Sequence, residues 1–245
     1  MNNFEQLNID IMAHLEPGLF REEYGNKVNQ EEINSKKLKE YNVLLMTISQ
    51  ACKKVLKYEL YFSEFYPSCY RITNSEALEH HIHAYLEDVV ILKNKLTVFL
   101  GVLKNDLKKI AVNKKEIDKA LTFFIRQTEG CFKGISTARD PHHHKGVKFI
   151  DSDIIDSEFS HTILTLDEPM KATFNSEFLE KLKKREVGSF LKAKTRWIET
   201  ARKNNEQISG LINEIFERNN NFIYNFLGIK KIVKSPIPEF NNQKS

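Results

Sequence analysis

The sequence predicts an all-α fold, a helical bundle of four to five long helices. Three observations point there. Only nine glycines and six prolines punctuate 245 residues, so long elements run without breakers. Apolar residues recur three and four apart over several long stretches. In one of them, Ile82, Tyr85, Val89, Leu92, Leu96, Phe99, Leu103 and Leu107 hold a heptad seam for more than three repeats.

The elements follow in order. Residues 1–29 read as an irregular N-terminal segment, punctuated by Pro17-Gly18 and Gly25. A first helix runs from near Gln30 to about Tyr58. The stretch "YFSEFYPSCYRITN" reads as an aromatic loop ended by Pro67, its rings packing over helix ends. The second and strongest helix covers Ser75 to Lys108. Thr73 and Glu76 are spaced for a capping box at its start, with Ser75 as an alternative cap. Gly101 within it suggests a close helix crossing.

The third helix starts at an Asn113 cap, with Glu116 three residues on. Its buried face is Ile117, Leu121, Phe124, Thr128, Phe132 and Ile135. Gly130 and Gly134 share a face that admits a neighbouring backbone, either within the bundle or in a dimer. Pro141 disfavours helical geometry at Asp140, which predicts that this helix stops near Arg139.

Residues 147–174 break the pattern and read as a long loop or small β-hairpin insertion. Asp151, Asp153, Asp156 and Glu158 then form a solvated acidic loop, and the glycine that a calcium loop needs is missing. A last helical region covers Ser176 to about Leu227. As one rod it would be about 78 Å long at 1.5 Å per residue, so a break is expected near Gly188 or at Asn219-Asn220-Asn221. The domain organisation is therefore an irregular 1–29, a single helical domain 30–228 with the insertion 147–174, and a basic C-terminal tail 229–245.

The totals limit the functional classes. Hydrophobic residues at 41% and charged residues at 29% describe a globular chain. A net charge of +4 permits a nucleic-acid partner without demanding one. Three scattered cysteines, Cys52, Cys69 and Cys131, form no CxxC pair and read as reduced thiols, which predicts a cytoplasmic protein. The N-terminus lacks the features of a signal peptide, and no apolar run reaches membrane-spanning length.

The chemistry concentrates in "STARDPHHHKG", residues 136–146, which holds three of the eight histidines. Adjacent histidines in a loop point apart, so one metal would need help from His80, His81 or His83. No HExxH-like pair exists, and the spacing argues against a metal or other cofactor. Acid–base chemistry fits better. Histidine exchanges protons near neutral pH, and arginine holds a phosphate and the charge that develops on it. Arg139 and His144 bring both tools together. RNA supplies its own 2′-hydroxyl nucleophile, so such a site would cleave RNA without metal and spare DNA.

"RDPHHH" resembles the Rx4–6H signature of the HEPN superfamily. Members share a helical-bundle core, with the signature near the end of the third core helix or the start of the fourth. The resemblance implies a metal-independent endoribonuclease that pairs two signatures across a homodimer-like interface. It also implies a place in toxin–antitoxin or antiviral defence, with a cognate antitoxin or regulatory protein as partner. It makes Arg139 the phosphate clamp, His144 the acid–base group and Asp140 an orienting residue. His142 and His143 have no assigned place and are auxiliary candidates. So are His83 and Glu87 on the second helix, since a polar residue there often faces the family's site. The partners expected are RNA, a second copy and a cognate protein, with no membrane partner. The alternative is a non-catalytic interaction or regulatory module on the same fold.

Overall fold

The computed structural model describes residues 3–16, 35–68, 71–145 and 151–231, with the side chains of 35 and 140–145 outside the description. The described residues form α1 (Asn3–Leu15), α2 (Ser35–Leu56), α3 (Tyr58–Glu64), α4 (Asn74–Ile110), α5 (Lys114–Lys145), α6 (Ser152–Leu164), α7 (Glu168–Lys171) and α8 (Ser176–Leu227). No strand occurs among them, and the all-α class holds.

Helix α4 is the centre of the bundle. All eight residues of its predicted seam are at most 2% exposed. Burying an aliphatic or aromatic side chain of this kind is worth about 1.5–3 kcal/mol. Its start is the predicted capping box: the Thr73 hydroxyl accepts from the Glu76 N–H at 3.0 Å, and the Glu76 carboxylate accepts from the Thr73 N–H at 2.6 Å. Helix α5 returns antiparallel beside it. Lys104 donates to Thr122 and Lys108 to Asp118, while Lys93 reaches Ser136 nearer the other end. The Asn113 cap of α5 forms as predicted, accepting from the Glu116 N–H at 3.3 Å.

Several expectations are corrected. Residues 3–15 are helical, not irregular, because Phe4, Leu7 and Ile11 share a face that enters the core. The fold brings Asp10 of α1 to the hydroxyl of Tyr224 on α8, far away in sequence. The aromatic stretch, residues 61–74, begins within helix α3, which covers 61–64 of it, while residues 65–68 lie outside any helix. Tyr58, just before the stretch, and Phe62 are buried against Tyr85, and Phe62 also meets Trp197 of α8, so these two rings build core, while Tyr61 and the 53% exposed Phe65 pack on each other at the end of α3.

The described part of the 147–174 region, residues 151–174, holds α6 and α7 and no strand. Two of the four acidic residues expected in a solvated loop are buried, while Asp156 and Glu158 stay partly exposed. Asp151 and Asp153 are 8% and 7% exposed. Asp151 caps α6 by accepting from the N–H groups of Asp153 and Ile154. It also accepts from the Arg196 guanidinium at 2.6 Å and from the Trp197 indole N–H at 2.8 Å. Asp153 takes Lys192 at 3.0 Å and the other arm of Arg196. Opposite charge on α8 thus replaces the water a loop would have had.

Helix α8 runs unbroken for 52 residues. Gly188 and Asn219-Asn220-Asn221 do not interrupt it, since a lone glycine costs a helix only about 1 kcal/mol and Asn219 bonds back to the Ile215 carbonyl. The rod is longer than one packing group needs because it serves two. Its first half holds α6, and its second half lies among α1, α2 and α5. Gly228, in the left-handed region at φ 67°, ends it. The other helical glycines make no close crossing: a Cβ added at Gly101, Gly130 or Gly134 would meet nothing within 4 Å.

Candidate functional site

Helix α5 does not stop at Arg139. Its backbone stays helical through Pro141 to Lys145. A proline removes one N–H donor and crowds the preceding turn, a cost that a helix anchored upstream by Leu121, Phe124, Thr128 and Phe132 absorbs near its end. The signature therefore sits on a helix. Positions 142 and 143 stand three and four residues on from 139, spacings that share a helix face, and 144 stands five on. The side chains of Asp140, His142, His143 and His144 lie outside the described residues.

Arg139 is placed by a fork. Its Nε donates to Glu87 Oε1 and its Nη2 to Glu87 Oε2, both at 3.0 Å. Planar guanidinium and planar carboxylate match edge to edge, the strongest form of this pairing. The pair bridges α5 and α4 and is half-buried, with side-chain exposures of 20% and 35%. Helix periodicity puts Glu87 on the same face of α4 as His83, one turn away, and His83 lies 3.6 Å from Glu79. The structure thus joins Arg139 to Glu87, with His83 one turn along on α4.

His81 is used elsewhere. Its Nε2 donates to the Phe65 carbonyl at 2.7 Å, and its ring stacks on Tyr61. It anchors the end of α3 and is not free to join a metal site with His80 or His83. Among the described residues, no group of three His, Cys, Asp or Glu side chains is placed to hold a metal ion.

A cleft of about 620 Å³ lies apart from this pair, at the start of α4, between α4, α6 and α8. His161 contacts Glu186 there at 2.7 Å, an orienting contact of the kind a proton-transfer histidine uses. Four hydroxyl-bearing residues, Ser68, Thr73, Ser75 and Ser157, line the cleft, and two of the serines are committed as donors. Ser75 donates to Ser157 at 2.8 Å, and Ser157 donates to the Glu186 carbonyl at 2.9 Å. Neither Ser75 nor Ser157 is therefore aligned for attack. Neither His161 nor Glu186 could be singled out from sequence, because the segment bearing His161 reads as loop.

No family model, no curated protein and no solved structure matches this chain.

Proposed function

We propose that the chain is a HEPN-type, metal-independent endoribonuclease, with Arg139 on α5 and Glu87 on α4 at its site. The observation that supports this reading is the bidentate Glu87–Arg139 pair. It fixes the signature arginine between two long antiparallel helices of an all-α bundle, beside a helix face that carries His83. In the reading, Arg139 clamps the scissile phosphate and Glu87 orients the guanidinium. His144 takes the proton of the 2′-hydroxyl as its oxygen attacks phosphorus. The bond to the 5′ oxygen breaks, and that oxygen is protonated as it leaves. The products are a 2′,3′-cyclic phosphate end and a 5′-hydroxyl end. Asp140 is the residue next to the arginine that the resemblance gives an orienting role, and His142 and His143 are auxiliary. A second copy and a cognate antitoxin or regulatory protein complete the system.

The test is direct. RNA incubated with the pure protein in EDTA yields fragments with 2′,3′-cyclic phosphate ends, and Arg139→Ala or His144→Ala abolishes them while the helical circular-dichroism signal persists. RNA left intact under all conditions, or cut equally by both variants, refutes the reading. One observation favours the alternative of a non-catalytic module: Glu87 already occupies both arms of the Arg139 fork. In that case a stable partner is retained equally by wild type and both variants.

A further inference from the structure

Four helix ends meet at one end of the bundle. Lys37 at the start of α2 bonds Asp106 near the end of α4, and Lys108 bonds Asp118 in the second turn of α5. Tyr41 of α2 packs on Phe226 near the end of α8. Over residues 35–40, 104–119 and 228–231 there are eleven lysines against four carboxylates, a net +7 where the whole chain nets +4. The adjoining segments do not cancel this. Residues 17–34 add −2 and residues 232–245 add +1.

The charge is available. Lys36, Lys39, Lys114, Lys115, Lys230 and Lys231 are exposed and make no ion pair among the described residues. The other dense basic run, 181–196 on α8, is different. Lys181, Lys183, Arg185, Lys192 and Arg196 are each matched by a carboxylate. Of the seven basic residues there, five are thus in ion pairs and Lys194 donates to the Ser63 carbonyl.

The tip of this end is apolar. In the α4–α5 turn, Val112 is 106% exposed and Ile110 is 60% exposed, with Lys108, Lys109, Lys114 and Lys115 around them. The short turn holds these side chains outward. Residues 35–40, 104–119 and 228–231 contain no arginine and no aromatic, and the nearest exposed rings among the described residues of α5 and α8, Phe123 and Phe222, stand four residues beyond Lys119 and six before Gly228. Tyr224 is buried, and Phe226 is half-buried against Tyr41. Arginine forks and aromatic platforms are what nucleic-acid surfaces use for phosphates and unstacked bases. Lysine clusters around protruding aliphatic side chains suit an anionic lipid surface, where the charge draws the protein in and the aliphatic groups enter the headgroup layer.

We propose that this lysine-ringed end, with Val112 and Ile110 at its tip, docks on the surface of an anionic membrane. Docking of this kind needs no spanning helix, and no helix among the described residues is long and apolar enough to cross a membrane.

Vesicle co-sedimentation at about 0.1 M salt tests it, using phosphatidylcholine alone and phosphatidylcholine with about a third phosphatidylserine. Each charge near an anionic surface and each buried aliphatic group contributes roughly a severalfold factor in affinity. The full-length protein should partition to the anionic vesicles at least about 10-fold better than to the neutral ones. Lys114→Glu with Lys115→Glu should lower that about 10-fold or more, and Val112→Ser severalfold. Lys203→Glu, an exposed charge midway along α8, should change it little. Circular dichroism confirms that each variant folds. No preference for anionic vesicles overturns the proposal. So does a surface that binds RNA or DNA through these lysines while Val112→Ser changes nothing, which would assign it to a nucleic acid.

Discussion

Removing the Asp151 carboxylate should do more damage than removing any exposed charge. In Asp151→Ala three things are lost together. The cap of α6 goes, typically worth about 1 kcal/mol. The Trp197 indole N–H, 8% exposed as a residue, loses its acceptor, which costs about 1–3 kcal/mol. Arg196 keeps Asp153 but loses Asp151. Its side chain is 43% exposed, so solvent screening holds that loss to about 1 kcal/mol or less. The sum is about 3 kcal/mol, or a fall in Tm of about 6–12 °C for a chain of this length. Asp151→Asn keeps one oxygen, enough for the cap at Oδ1, but sets an amide NH2 donor where the indole N–H needs the second oxygen, so it should cost about 2 kcal/mol, less than alanine by the cap alone. Urea unfolding read by tryptophan fluorescence measures this directly, because the chain has one tryptophan and it is the one in contact. A loss under about 1 kcal/mol for Asp151→Ala, or equal losses for the two variants, would refute the reasoning.

Further outcomes follow from other contacts. The Lys192 hydrogen bond holds the Asp153 carboxyl below its ordinary range against the opposing effect of burial, with Arg196 adding to it. At Asp106 burial pushes the other way but is outweighed by Lys37 and Lys109. A carboxyl lowered in the folded state stabilises above its unfolded pKa of about 4, and that stability is lost as pH falls through the folded value. The urea midpoint should hold from neutral to about pH 5 and drop below about pH 4, and no change at pH 3 would contradict this. Burial pushes Tyr66 up to about 12, and Tyr85 up to about 12 despite the Asn204 hydrogen bond, while Tyr41, Tyr58 and Tyr224 are pushed higher still. An absorbance titration should therefore leave five of the eight tyrosines un-ionised at pH 11 while the fold persists. Gly101→Ala should stabilise by about 0.5–1 kcal/mol in thermal unfolding, because it is inside a helix and its Cβ would meet open space. If the chain cleaves RNA, Glu87→Gln should lower both kcat and KM, since the freed guanidinium binds phosphate more readily and aims it less well. A rise in KM would show that Glu87 does not compete for the arginine.

What could be read from the sequence was what periodicity encodes. The α4 seam and its capping box appear as predicted, because eight apolar positions at steps of three and four leave one way to fold. Helix α6 was hidden for the opposite reason. Its buried side is made largely of Asp153, Ser157 and Ser160, which carry no hydrophobic signal: Asp153 and Ser157 are satisfied by partners on α4 and α8, and Ser160 by the Asp156 carbonyl one turn back. The unbroken α8 was misjudged because its length was weighed against one packing group instead of two. At the site, Arg139 stood out from the signature, and Glu87 was one of several polar residues on α4. Which of them meets the arginine depends on how α4 and α5 slide past each other. Side-chain pairs fix that offset, notably Lys108–Asp118 and Lys104–Thr122. Neither pair belongs to a pattern visible along one strand of sequence.

The length of α8 also governs how the molecule comes apart. About 78 Å of helix at 1.5 Å per residue is held near one end by the carboxylates of α6 and near the other by the aromatic core around Phe4, Phe99 and Phe216. Melting either grip frays a helix that the other grip needs, so the two should fail in a single transition. The slowest-exchanging amides should be those of the stretch around Trp197 to Asn205, where the rod crosses from one grip to the other and α3 and α4 clasp it through Phe62 and Tyr85.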